Sequence, residues 1–217
     1  MANKIYTIGR EFGSGGREVG EKLAAKLGIK LYDKELLQQA AKDSGFCEEI
    51  FENHDEKPTN SFLYSLVMDT YSVSGYSAAP FLDMPLNHKV FLAQFETIKK
   101  IAEKESCVIV GRCADYILEQ AELDHISLFI AAPFEWRVQR KMEQLSIDEK
   151  EATSMVRKKD KDRKAYYDYY TGRSWGRPHN YDLCINSSRL GIEVTAEKLA
   201  EMVLQLEKGT SSVDFDL

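Results

Sequence analysis

Cysteine, proline and net positive charge are all scarce in this chain, and each shortage narrows what it can be. The four cysteines (Cys47, Cys107, Cys113, Cys184) contain no C-x-x-C pair. Cys107 and Cys184 lie in apolar, strand-like runs and read as reduced, buried thiols. Cys113 follows Gly111-Arg112, and nothing in the sequence marks it as reactive. Three of the five prolines (Pro58, Pro80, Pro85) fall between residues 46 and 87, so the rest of the chain is free to run in long elements. No apolar run is long enough to span a membrane and no signal peptide is evident, which makes the expected setting cytoplasmic. The net charge of −6 argues against bulk nucleic-acid binding. Internal repeats and low-complexity tracts are also lacking.

What is present reads as a soluble globular protein, with 43% hydrophobic and 29% charged residues. Its 217 residues suffice for one large α/β domain, or for a core with an inserted lobe. The most informative stretch comes first. The apolar run Ile5–Ile8 leads into Gly9 and then a loop holding Gly13, Gly15 and Gly16, before a helical pattern opens near Arg17 and runs to Leu27. Strand, glycine-rich turn and helix make a phosphate cradle, because glycines let successive N–H groups face one anion at the positive end of a helix. The standard pattern is G-x-x-x-x-G-K-S/T, whose lysine reaches the outer phosphates and whose hydroxyl binds magnesium. Here Gly16 occupies the lysine position, and Arg17 and Glu18 follow. An ordinary glycine turn from strand to helix is the plain alternative.

A short run Ile29–Tyr32 ends at Asp33, and an amphipathic helix carrying Leu36, Leu37, Ala40 and Ala41 stops near Ser44-Gly45. An acidic residue at a strand tip soon after a phosphate loop lies at the edge where α/β sheets place chemistry. Residues 46–87 are weakly patterned, with helical character at Glu48–Phe51 and Ser61–Met68, yet too aromatic for a disordered linker. They read as a helical insert that either shapes an acceptor pocket or serves as a structural cap or homodimer surface. The helix Lys89–Lys104 then delivers the chain to Cys107–Val110, an interior parallel strand ending in Gly111-Arg112. Arg112 at that tip suits an anion, since its planar fork matches phosphate.

His125–Ala131 is another buried strand, followed by Pro133 and a helix with Trp136, Val138 and Met142 inward and Arg137, Arg140 and Lys141 outward or toward a lid. His125 itself reads as structural or exposed. Residues 146–180 form the lid: a long helix capped near Asp148 and running to about Tyr170, then the loop Thr171–Asn180 with Arg173, Trp175, Arg177 and His179. Within it Asp160 and Asp162 are expected to pair locally with basic neighbours, and the tyrosines at 166, 167, 169 and 170 to pack or stack. A last strand, Asp182–Asn186, a turn at Ser187–Gly191 and a final helix Ile192–Glu207 complete a single domain over residues 1–208, with a frayed tail at 209–217.

Four separated segments, IGREFGSGGREVG (Ile8–Gly20), VGR (Val110–Arg112), DRKAYYDYYTG (Asp162–Gly172) and NYDLCIN (Asn180–Asn186), resemble those of the cytidylate kinase-like family among the P-loop nucleoside-monophosphate kinases. The resemblance spans about Lys4 to Lys208. It implies an α/β P-loop fold: a five-stranded parallel sheet with helices on both sides, a helical acceptor-binding insert and a basic lid. It also implies transfer of the γ-phosphoryl group of ATP, with Mg²⁺, to a nucleoside monophosphate, CMP or dCMP above others, or to a similar small acceptor. By position, Gly13, Ser14, Gly15 and Gly16 would wrap the ATP phosphates. Arg112 would grip the acceptor phosphate, with Arg173 also on the substrate side. Asp33 would hold magnesium through water or orient the attacking oxygen. Arg157 and Arg163 would neutralise charge on the transferring group, and Asn186 and Ser187 would pass the adenine ring. Arg17 would replace the missing lysine charge and Glu18 would hold magnesium. The departures, Gly16 and Glu18 in the loop and Cys113 where the family has aspartate after G-R, keep a second reading in play: a nucleotide-binding regulatory module with little or no turnover. A structural or partner-binding protein with a decayed site is weaker, because it leaves the arginines unexplained.

Overall fold

The computed structural model describes residues 3–45, 49–51, 55–56 and 85–209. The Ser61–Met68 helix, Cys47, most of the 46–87 insert and the 210–217 tail lie outside the described residues, although residues 49–51 are helical as expected. Strands β1 (Ile5–Arg10), β2 (Lys30–Tyr32), β3 (Cys107–Val110), β4 (Ile126–Ala131) and β5 (Leu183–Asn186) form a parallel sheet in the order β2-β3-β1-β4-β5. The central strands are apolar on both faces, as strands covered on both sides must be. Side-chain alternation then divides them between two cores. Ile5, Cys107 and Ile109 face one, and Tyr6, Ile8, Val108, Val110, Leu128 and Ile130 face the other.

Helices α1 (Gly16–Leu27) and α7 (Ser187–Gly209) close the second core through Val19, Leu23, Ala196 and Leu199. Helices α2 (Lys34–Ser44), α3 (Leu86–Lys104), α4 (Ala114–Gln120) and the second half of α6 (Glu149–Thr171) close the first. Helix α5 (Phe134–Leu145) packs on the first half of α6 through Val138, Ala152 and Val156. The tyrosines of α6 do pack: Tyr166, Tyr167 and Tyr170 are buried, and Tyr170 stacks on Phe91 with ring centroids 3.9 Å apart. They fasten the C-terminal half of that helix to α3.

Several local expectations need correction. Helix α4 has no counterpart in the sequence reading, because seven residues are too few to display a period. Helix α3 starts at Leu86, directly after Pro85, rather than at Lys89. The turn expected at Ser187–Gly191 is itself helical and joins the final helix across Gly191, whose φ of 73° breaks the run. Cys107 is buried as expected, but Cys184 is exposed, because β5 is the edge strand of the described sheet, paired there with β4 alone.

Asp148 caps α6: its Oδ1 accepts the Glu151 N–H at 2.8 Å. Replacing it with alanine should cost about 1 kcal/mol. In a domain of this size that lowers the melting temperature by roughly 2–4 °C, readable by circular dichroism. An unchanged melt would show that the cap contributes nothing.

Candidate active site

The carboxyl ends of β1, β2 and β3 bring the glycine loop, Asp33 and Arg112 to one edge of the sheet. The loop is shaped by Gly13 and Gly15, both left-handed at φ 85° and 80°, a conformation that costs glycine little. Ser14 is fully buried, and its hydroxyl donates to the Glu11 carbonyl at 2.9 Å. The Ser187 hydroxyl donates to the Ser14 carbonyl at 2.6 Å, tying the loop to the start of α7.

Arg112 is 3% exposed and makes a dense set of bonds. Its Nη1 donates to Asp33 Oδ1 at 2.6 Å and to the Val110 carbonyl at 2.9 Å. Its Nε and Nη2 reach the two oxygens of Asp55 at 3.0 and 2.8 Å. The backbone is left-handed through Gly111, Arg112 and Cys113, at φ 78°, 55° and 56°. The non-glycine positions cost about 1–2 kcal/mol each in that region, so the bonds of the side chain hold the tip against strain.

Glu56 is the second hub. Arg10 Nη1 and Nη2 donate to its two oxygens at 2.5 and 3.1 Å, Arg163 Nε donates to Oε2 at 3.1 Å, and the Arg112 N–H donates to Oε1 at 3.1 Å. Burial alone would raise this carboxyl; the Arg10, Arg163 and Arg112 guanidiniums outweigh it and hold Glu56 well below the usual carboxylate range. Arg163, buried and beside Arg10, is pushed down to about 10. A cleft of about 500 Å³ opens beside this cluster, lined by Asp33, Asp55, Glu56 and Arg112 on one side and Lys159 and Arg163 of α6 on the other.

A neighbouring network joins α6 to the loop. Asp160 accepts the Phe12 N–H at 2.7 Å and also pairs with Arg137, which donates to the carbonyls of Ala132 and Phe12 at 2.9 and 3.0 Å. Arg137 is therefore buried and turned toward the lid helix, the second of the two directions expected, and Asp160 reaches across to the loop instead of pairing along its own helix. Both oxygens of Glu18 lie 2.6 Å from Arg140 Nη2.

Of the residues singled out in the sequence, the structure gathers Asp33, Arg112 and Arg163 around one cleft, with the loop glycines nearby. Arg17 is half-exposed and pairs with Glu21 and with Asp33, each at 3.1 Å. Arg157 is exposed and stacks over Phe134 at 5.3 Å, on a different face of α6 from Arg163. Arg173 makes a two-pronged pair with Glu119, both bonds at 2.7 Å. Asn186 is exposed and accepts from the Ser188 backbone N–H and hydroxyl at 3.0 and 2.7 Å. Three site groups escaped the sequence reading: Arg10, Asp55 and Glu56. The glycines flanking Arg10 in space were visible in the sequence; no pattern marked the two acids. Among the described residues, no cluster of three or more His, Cys, Asp or Glu side chains is arranged to hold a metal. No helix of the described residues is long and apolar enough to cross a membrane.

Comparison with known proteins places this geometry. No curated protein sequence matches the chain. Among solved structures, an uncharacterized protein from Eubacterium ventriosum is 33% identical over 93% of this chain and 98% of its own, with a TM-score of 0.68. Two shikimate kinases share the fold at lower identity. The one from Acinetobacter baumannii, solved with shikimate, is 16% identical over 94% of each chain, with a TM-score of 0.51. The one from Bacteroides thetaiotaomicron is 15% identical over 93% of this chain and 98% of its own, with a TM-score of 0.53. The five-stranded parallel sheet, flanked by helices and entered through a glycine loop, is that of the P-loop kinases. A sequence model described as the cytidylate kinase-like family matches residues 5–189, a span that takes in the loop, the Arg112 tip and Arg163. The chain belongs to the cytidylate kinase-like family.

Proposed function

We propose that this protein is an ATP-dependent phosphotransferase that moves the γ-phosphoryl group to a small acceptor, with CMP or dCMP first among candidates. Family and fold support the class, a kinase-type phosphotransferase. The observation that carries the reading further is the convergence of Arg10, Arg112 and Arg163 on two carboxylates in a cleft at the carboxyl edge of the sheet. Cations that hold carboxylates this way hold phosphates by the same forked geometry.

In the reaction, an acceptor phosphate oxygen forms a bond to the γ-phosphorus as the bond to the β–γ bridging oxygen breaks, and ADP leaves with that electron pair. Arg112 would bind the acceptor phosphate, with Asp33 orienting it from the same strand edge. Arg163 would face the charge on the transferring group, and the N–H groups of Gly13 to Gly16 would cradle the donor. Such chemistry depends mainly on positioning and neutralisation. The donor set fits Mg²⁺ in part: Asp33 offers a carboxylate at the strand tip, and magnesium keeps waters and phosphates as its other ligands. Glu18 would first have to leave Arg140. When bound, the ion neutralises phosphate charge. Reduced thiols at Cys107, Cys113 and Cys184 accord with a cytoplasmic setting.

A specific observation favours the second reading, a regulatory module that binds nucleotide without turnover: Glu56 and Asp160 already occupy the guanidiniums and the Phe12 N–H. ADP release from ATP and Mg²⁺ separates the two, measured with CMP, dCMP, UMP, AMP, GMP or no acceptor. Release that depends on CMP or dCMP is expected. ATP binding without release for any acceptor would transfer the assignment to the regulatory module, and absence of both would remove the nucleotide reading altogether.

A further inference from the structure

Gly16, at the position where P-loops carry lysine, has no left-handed backbone to explain it. The space does. A Cβ built there would stand 2.5 Å from Arg10 Cβ and 3.1 Å from Arg10 Cγ, with Ile130 Cβ at 3.3 Å behind. Those Arg10 atoms are rooted in β1 and cannot swing away as the end of a flexible side chain could. Any side chain at 16, lysine included, is therefore incompatible with Arg10 where it lies. A second glycine clears the far end of the same side chain: a Cβ on Gly111 would fall on the Arg10 guanidinium, 2.8 Å from Cζ. Arg10 thus runs from the end of β1 past one glycine to another, and its head meets Glu56.

The company it keeps there is that of an anion subsite. One carboxylate collects the Arg10 fork, Arg163 Nε and the Arg112 N–H, while Arg163 also donates to the Arg10 carbonyl at 3.3 Å. Two guanidiniums and a backbone N–H aimed at the same pair of oxygens are what a phosphoryl group requires. Arg17, the basic residue next in sequence to Gly16, is half-exposed and engaged with Glu21 and Asp33, and Arg140 is held by Glu18.

We infer that Arg10 supplies, from the strand, the phosphate-binding cation that other P-loops draw from lysine, and that Glu56 holds the anion's place until a polyphosphate displaces it. This rests on the nucleotide-binding reading above and assigns to Arg10 the role first expected of Arg17. The test uses the full-length protein and titrates Mg-ATP and inorganic tripolyphosphate calorimetrically, with melting curves to confirm folding. R10A should weaken both ligands about tenfold to a hundredfold, the range of a lost charged hydrogen bond. R17A should change affinity by less than about threefold. G16K alone should lower both melting temperature and affinity, because two stems compete for one space. In R10G/G16K both the Cβ and the stem at position 10 are gone, so the returned lysine has room, and affinity should recover above that of R10G, a rescue that a merely structural arginine would not permit. If R10A melts below the assay temperature, R10Q carries the comparison. Wild-type affinity in R10A or R10Q, or a loss confined to R17A, would overturn the inference while leaving nucleotide binding intact. A wild-type protein that binds neither ligand would overturn both readings together.

Discussion

Arg112→Ala should be among the most damaging single substitutions in the described part of the chain. It leaves Asp55 and Asp33 at a buried strand tip without the guanidinium that bonds both. Breaking a buried ion pair from one side costs about 3–5 kcal/mol. For a domain of this size that is roughly 6–20 °C in melting temperature. The loss should depend on pH. Burial already raises the Asp55 carboxyl, against the pull of Arg112, and removing Arg112 raises it further. A carboxyl raised in the folded state binds its proton more readily there than when unfolded, so folding is favoured as pH falls. The variant should therefore regain stability between neutral pH and the ordinary aspartate range. Arg112→Lys should keep part of the stability and lose acceptor-dependent turnover, since an ammonium cannot span Asp33 and Asp55 in the same fork. A melting temperature within about 2 °C of wild type for Arg112→Ala would show that the tip holds without these bonds.

The second large effect has two parts of opposite sign. Glu56→Gln keeps the side-chain volume but removes the charge that Arg10 and Arg163 share, so stability should fall by about 3 kcal/mol at neutral pH. Because the folded Glu56 lies well below the usual carboxylate range, its contribution is complete above about pH 4.3 and is lost as pH falls toward the depressed folded value. The gap between wild type and variant should close only in that acid window, below the one in which Arg112→Ala recovers. Affinity for inorganic tripolyphosphate should move the other way. An anion no longer has to displace a carboxylate already seated on the arginines, and a site freed from a state in which about one molecule in ten is open gains about tenfold. Loss of stability together with loss of affinity would mean that Glu56 builds the phosphate site instead of obstructing it.

Much of this molecule was legible in order along the chain. The three inner strands announced themselves as apolar runs because a sheet covered on both faces needs apolar residues on both sides of its inner strands, while the edge strands β2 and β5 were legible as short, mixed runs. Arg112 and Asp33 were legible because they sit directly at strand tips, where distance along the sequence and distance in space agree. Arg163 could be picked out from its helix by its family segment, but its partners could not, since Glu56 lies 107 residues away in a stretch with no period. Arg137 could be read only as outward or lid-facing, for a related reason. On a helix with Arg140 and Lys141 close by it resembles a solvated charge, and only the crossing of α6 supplies the Asp160 that buries it. Arg10 was hidden in plain view. A basic residue at the end of a strand attracts no notice until the empty volume above Gly16 is seen to belong to it.

Positions 10 and 16 should be coupled in heredity as they are in space. An arginine rooted at 10 forbids a lysine at 16, and since the clash begins at Cβ a lineage would pass between the two arrangements only through a form with glycine at both positions. Relatives should divide into two groups at this pair, arginine-then-glycine and glycine-then-lysine, with side chains at both positions missing. Searches that recognise nucleotide loops by their lysine would overlook the first group, and the absence that looks like decay in such chains would be the trace of an exchange.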